Sequence, residues 1–237
     1  MHTNDKSVQA TVYNILKNSI MRLQLKPGTA MSTQEIADKL HVSKTPVREA
    51  FIRLQREGLV EIFPQKQTVV SRIDLKRTAQ ERFIRESLEC AVMEAVIENC
   101  SRKNLALLRE NIEKQRRARE KKDYLLHILL DNEFHKLLFT IAGQPLCWET
   151  IDDISGNYAR IRLMTVWTAE TMDAVIAQHV QLLAVIERGN VEEAREYMKA
   201  HLGMLDTEMD GLLHKYPDFF KQENTENGVD CNMLLSL

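Results

Sequence analysis

The chain reads as mainly α-helical, with an N-terminal winged helix-turn-helix followed by an all-helical antiparallel bundle. Three observations predict this. Residues 32–60 hold two short amphipathic helical patterns joined by a tight turn. Two β-prone runs follow directly. From Asp74 onward the pattern is almost purely helical, and glycine and proline are sparse.

Val12, Ile15, Leu16 and Ile20 repeat at helical spacing, and Leu25, Lys26, Pro27 and Gly28 end that first helix. Ser32 caps the next helix, and Glu35 three residues on completes a capping box. Ile36, Ala37 and Leu40 form its apolar stripe, and His41 and Val42 make the turn. Ser43 caps the following helix, with Thr45 and Pro46 tolerated in a first turn that needs no amide hydrogen. Val47, Phe51 and Leu54 then face inward, which leaves Lys44, Thr45, Arg48 and Arg53 outward. A helix offering polar and basic residues at its start is what the major groove of DNA accepts. A plain helical hairpin with a solvated charged face is the simpler alternative. Residues 59–63 and 68–71 predict a hairpin, a wing whose tip carries Lys66 toward phosphates or a minor groove. The DNA-facing set is therefore Ser43, Lys44, Thr45, Arg48, Arg53 and Lys66.

At 237 residues the chain suits one large domain or two small ones. Residues 1–73 carry 11 Lys plus Arg against 6 Asp plus Glu, a net of +5; the remainder carries 21 against 28, a net of −7. A basic head on an acidic body predicts that the head alone meets nucleic acid. No apolar run reaches about 18 residues, and the first residues lack the apolar stretch of a signal peptide. A cytoplasmic protein without membrane contact is expected. Cys90, Cys100, Cys147 and Cys231 are scattered without CxxC spacing and read as reduced thiols.

The domain boundaries expected are 1–73 for the head, 74–221 for the bundle and 222–237 for a tail, disordered or docked on a neighbour. Helices are predicted over 75–100, 102–121, 124–142, 147–166, 169–188 and 191–215, enough to bury a sizeable core.

Three of these helices carry histidine where core hydrophobes belong. Asp131 and His135 are four apart and share a face, bracketed by Ile128, Phe134 and Leu138. His179 sits in a seam of Val175, Ile176, Leu182, Leu183 and Ile186. His201 lies in the middle of another, made by Ala194, Tyr197, Met198 and Leu205. A single buried histidine is usually a satisfied core residue. Three of them with an aspartate are harder to dismiss, because an unpaired buried carboxylate costs several kcal/mol. A shared divalent cation satisfies all four groups, and three imidazoles with one carboxylate suit zinc, nickel or another borderline transition metal. His127, one turn before Asp131, is a rival ligand.

Leu25 to Thr29, Ser32 to Ala37, Ser43 to Arg48 and Leu54 to Val60 together resemble the DNA-binding domain of the GntR family of bacterial transcription regulators. The resemblance covers about the first 70 residues. One departure is Gln67, where relatives usually place a wing-tip glycine that reaches positive φ without strain. Asp131 to His135, with His179 and His201 downstream, resembles the FCD ligand-binding domain of the FadR subfamily, and residues 83–89 fit the same pattern. In the metal-containing branch of that family the aspartate and three histidines bind a divalent cation, often zinc or nickel. Carried over, the ligands are Asp131, His135, His179 and His201. The resemblance also implies a small carboxylate effector, with Arg85 as its partner and Asn157 and Arg162 as further pocket residues. For Arg85 the alternative is a surface salt bridge with Glu81 or Glu89.

The function implied is a ligand-responsive transcription regulator, a homodimer on a pseudo-palindromic double-stranded operator, with repression relieved by the effector as the default for the family. The competing class is a metallohydrolase, since such a donor set can activate water. Against it, the chain offers no HExxH helix and no second metal cluster, and Glu133 points away from the face of Asp131.

Overall fold

The computed structural model describes residues 2–166 and 168–222, so the tail expected from 222 lies outside the described residues save for Gln222. Two compact units emerge, one formed by residues 2–80 with 215–222 and one by residues 81–214.

In the first unit α1 (His2–Met21) packs on α3 (Lys44–Arg56), with α2 (Thr33–Leu40) beside it. Val12, Tyr13, Leu16 and Ile20 meet Val47, Phe51 and Leu54 in one core, closed by Leu59, Val60 and Val70. The wing is three-stranded rather than two-stranded. Strand β1 (Ala30–Met31) pairs with β3 (Gln67–Val70), which pairs in turn with β2 (Val60–Phe63), all antiparallel. Two residues are too few to show an alternating pattern, so β1 left no signature in the sequence. Gly28 sets it up: at φ +83° it bonds its amide to Val70 O at 2.8 Å, and Val70 N returns to Thr29 O.

The two helix starts differ from each other. Ser32 accepts from Glu35 N at 3.0 Å, and the Glu35 carboxylate takes Lys39 Nζ at 2.6 Å. Lys39 first, and in part the Ser32 backbone amide, hold that carboxylate below its ordinary pKa, so both halves of the capping box are in place. Ser43 has the extended backbone of an N-cap but makes no side-chain cap bond. The reason lies three residues on: Pro46 occupies the position whose amide a capping serine commonly takes, and it has no hydrogen to give.

The wing turn also departs from expectation. Its left-handed residue is Gln65, at φ +60°, while Gln67 sits in the ladder opposite Phe63. The missing glycine therefore bears on Gln65 rather than Gln67.

The expected head boundary at 73 is crossed by the returning chain. Ile73 bridges Phe220 in parallel, with Ile73 N bonded to Phe219 O and Lys221 N to Ile73 O, each at 2.8 Å. Residues 215–222 therefore belong to the first unit, not to the bundle.

The second unit is all-helical among its described residues. Its elements are α4 (Leu75–Ala91, entering at residue 81), α5 (Met93–Glu98), α6 (Arg102–Glu120), α7 (Tyr124–Ile141), α8 (Pro145–Ile154), α9 (Gly156–Thr165), α10 (Ala169–Arg188), α11 (Val191–Gly203) and α12 (Leu205–Lys215). Three predicted helices are broken, at Val92, Ser155 and Met204. At the middle break the Ser155 hydroxyl turns back to Ile151 O, and the buried Glu81 carboxylate takes its place, accepting from the amides of Asn157 and Tyr158 at 2.9 and 2.8 Å. Helix α6 packs against both α7 and α10, α10 against α11, and α7 against α8 and α9. Phe134, Leu138 and Phe139 of α7 centre the apolar core. No described helix is long and apolar enough to cross a membrane. Cys90, Cys100 and Cys147 are free thiols, and Cys231 lies outside the described residues.

Candidate metal centre and nucleic-acid interface

Helix α7 buries one face of consecutive turns, His127, Asp131 and His135, each 2% exposed or less. Helix α10 brings the fully buried His179 against it, and α11 brings His201. One donor atom from each of Asp131, His135, His179 and His201 lies within 4.8 Å of the others. His135 Nε2 is 3.1 Å from His201 Nε2 and 3.8 Å from Asp131 Oδ2; His179 Nε2 is 3.6 Å from Asp131 Oδ1. The four residues expected to act together are brought together. His127 is not among them: burial followed by the charge of Arg162 pushes its pKa down to about 4, against the weaker pull of the Gln115 backbone.

The opposite nitrogen of each clustered histidine is tied down. His135 Nδ1 bonds Glu89 Oε2 at 2.5 Å, His179 Nδ1 bonds Gln115 Oε1 at 2.9 Å and His201 Nδ1 bonds Gln178 Oε1 at 2.8 Å. The Gln115 amide is oriented by a buried chain, since Gln115 Nε2 donates to Asn111 Oδ1 and Asn111 Nδ2 donates to Leu130 O. Carbonyl and carboxylate oxygens only accept, so each Nδ1 carries the proton and each Nε2 presents a lone pair to the centre. Burial drives His179 and His201 well below the ordinary histidine range, reinforced by the neighbouring imidazoles; it lowers His135 as well, against the pull of Glu89. Neutral imidazoles are the ligand form.

Two lone pairs facing each other at 3.1 Å, and a buried His179 Nε2 without a hydrogen-bond partner, call for a cation among them. The donor set fits a divalent transition metal. Sequence reading missed Glu89, Gln115 and Gln178 as partners. The available signal was Asn111 and Gln115, polar and four apart among the core residues Leu108 and Ile112 of α6.

Arg162 reaches the cluster from α9, pairing with Asp131 Oδ2 and with Asn132 Oδ1. It lines a pocket of about 50 Å³ together with Ile128, Asp131, Tyr158, Val175 and His201. The other two effector candidates do not line it. Asn157 is spent on structure: its side-chain amide donates to Glu81 at 3.0 Å and its oxygen accepts from Arg160. Arg85 is 2% exposed rather than at the surface, with Nε on Glu89 Oε1 at 2.5 Å and its guanidinium 5.6 Å from the rings of Trp148 and Tyr158. Burial alone raises the pKa of Glu89, but Arg85 and His135 together hold it well below the usual carboxylate range. Glu133 is exposed, away from the donors.

In the first unit Ser43, Lys44, Thr45 and Arg48 are all exposed at the start of α3. Lys66 stands in the turn between β2 and β3, its amide bonded to Phe63 O. A groove of about 410 Å³ between α3 and the wing is lined by Ser32, Thr33, Arg48, Ile52, Phe63 and Lys66, among others. Arg53 is set apart from these. Its guanidinium lies 3.6 Å from the Tyr13 ring centre and pairs with Glu57 at 3.4 Å, so it has a structural task.

The comparisons with known proteins agree with both halves. Residues 8–70 match the family of bacterial regulatory proteins, gntR family, and residues 82–204 match the FCD domain. The chain is 30% identical over 216 residues to the HTH-type transcriptional repressor RspR of Escherichia coli K12, covering 91% of this chain and 95% of that one. It is 31% identical over 233 residues to an HTH-type transcriptional regulator in an unstable DNA locus of Streptomyces ambofaciens, covering 98% of each. Among solved structures, E. coli McbR/YncC superposes with a TM-score of 0.73 at 25% identity, over 88% of this chain and 98% of that one.

Proposed function

The chain belongs to the gntR family of bacterial regulatory proteins and carries an FCD domain, and from that premise we propose a metal-dependent, acid-responsive repressor. It is a DNA-binding, ligand-responsive regulator rather than an enzyme, in keeping with the gntR and FCD matches and with relatives named as transcriptional regulators. In this reading the centre of Asp131, His135, His179 and His201 holds zinc or nickel, as in the metal-binding branch of the FadR subfamily. The observation that carries it is the second layer. Glu89, Gln115 and Gln178 turn three lone pairs inward at once, which a merely satisfied polar core has no reason to do.

A bound divalent ion supplies open positions for a small carboxylate. Arg162 supplies the opposite charge at the pocket wall, beside Tyr158. Arg85 is one step back, holding Glu89. The effector changes DNA affinity only insofar as it binds the DNA-competent and DNA-incompetent states unequally.

The assembly proposed is a homodimer on a pseudo-palindromic operator, because one recognition helix offers few base contacts. Repression is favoured by the name of RspR, the E. coli relative, and a cytoplasmic location goes with DNA as the target. The test combines elemental analysis of the purified protein with anisotropy titrations on its own promoter DNA, with and without a panel of small acids. About one metal per chain and release of DNA by one acid are the expected outcome. Protein that neither carries metal nor takes up added zinc or nickel overturns the centre.

A further inference from the structure

The three second-layer partners are not equivalent. His179 and His201 each lean on a neutral amide, whereas His135 leans on a carboxylate. That carboxylate, Glu89, is fully buried and sits between two groups: one oxygen accepts from His135 Nδ1 and the other from Arg85 Nε, each at 2.5 Å. Arg85 and Glu89 are one turn apart on α4, so the pair arrives already formed at the face that meets α7. Arg85 Nη2 makes no hydrogen bond in its buried setting, so the Nε contact to Glu89 is the ion pair that places the guanidinium.

Building on the metal reading above, we propose that Glu89 is the positioning residue that sets how tightly the centre holds its ion. Its ionised carboxylate fixes the proton of His135 on Nδ1 and makes Nε2 a stronger donor than the amide-backed nitrogens of His179 and His201. Arg85 keeps that carboxylate charged in a place where a lone carboxylate is not tolerated. The centre is thus asymmetric, with His135 as its strongest neutral ligand.

The experiment uses full-length protein stripped with a chelator and titrated with Co²⁺. Affinity is read by competition with a chromophoric chelator, and the ligand-field absorption is recorded alongside. Glu89→Gln keeps an acceptor for Nδ1 and so keeps the tautomer, removing only the charge. It strands Arg85, so the double variant Arg85→Met with Glu89→Gln is made beside it, with neither charge left. Both variants are expected to bind Co²⁺ about 10–100-fold more weakly than wild type and to shift its ligand-field bands. Wild-type affinity and an unchanged spectrum in the double variant overturn the proposal, even where Glu89→Gln alone is weaker, because that deficit then comes from the stranded Arg85. Wild-type protein that takes up no Co²⁺ overturns the metal reading itself, and with it this one.

Discussion

Gln115 Oε1 accepts a hydrogen bond from His179 Nδ1 at 2.9 Å, and that single contact decides which nitrogen His179 offers to its neighbours. The amide is locked by Asn111 behind it, so it cannot turn over to present Nε2 without breaking a second buried bond. Replacing Gln115 with leucine removes the acceptor and leaves the His179 proton and the Asn111 oxygen unpaired. The metal-free protein should lose roughly 1–3 kcal/mol per stranded group, and metal affinity should fall about 10–100-fold. Denaturant melts and a chelator competition check the two effects separately. Unchanged metal affinity removes Gln115 from the centre.

The DNA face divides into reading and holding residues. Arg48→Ala should cost about 1–3 kcal/mol of discrimination if the guanidinium meets a guanine edge, while Lys44→Ala should weaken all sequences alike and lower the salt slope by about 0.9. Arg53→Ala is expected to act differently from both. Its stacking on Tyr13 and pairing with Glu57 make it a stability residue, so its melting temperature falls along with its DNA affinity. Anisotropy at several salt concentrations, on operator and on scrambled DNA, separates the three.

Buried His127 should make the metal-free protein acid-sensitive. Its folded pKa is pushed from the ordinary histidine value to about 4, by burial first and then by Arg162, with the Gln115 backbone and then Asp173 opposing. The unfolded chain therefore binds the proton first. The contribution is fully present above about pH 6.5 and is lost as pH falls toward 4, on the order of 3 kcal/mol at most. His127→Leu removes the titrating imidazole and with it this slope. Thermal melts of the metal-free protein between pH 7.5 and 4.5 should be flatter for the variant than for wild type. Parallel curves would show that His127 is not what titrates.

Much of this was legible in the chain before the fold was known, and the exceptions have physical reasons. The bounds of α10 were readable because Thr168 caps it and Gly189 ends it at φ +74°. The centre was readable because Asp131 and His135 repeat at helical spacing inside an apolar seam, which needs no tertiary information. The breaks at Val92 and Met204 were not readable: both lie in helical backbone, and neither residue is a glycine or proline that would mark a stop. The break at Ser155 depends on Glu81, 76 residues away from Asn157, whose carboxylate replaces the lost turn. Glu89 was visible only as a salt-bridge partner of Arg85, because nothing local tells which histidine a carboxylate 46 residues distant will face. Asn157 was placed on one long helix, whereas it stands in the first turn of a new one, where Glu81 and Arg160 take its side chain.

Arg162 carries the last prediction. It pairs with Asp131 Oδ2 and stands at the pocket wall; under the proposed function the same guanidinium would be the counter-charge of a metal ligand and a cation for an incoming carboxylate. Removing it by Arg162→Ala strands the buried Asp131 in the metal-free protein, which should lose about 3–5 kcal/mol. A divalent ion supplies the missing positive charge, so adding zinc should raise the melting temperature of the variant by more than it raises that of wild type. Metal content of the purified variant should stay near one per chain, while the acid concentration needed to release DNA should rise about 10–100-fold with the loss of a charge-assisted hydrogen bond. The readouts are differential scanning calorimetry with and without zinc, and anisotropy with the acid titrated. If zinc raises both melting temperatures equally, Arg162 and the metal do not share Asp131. If the acid still releases DNA at the wild-type concentration, the carboxylate is held without Arg162.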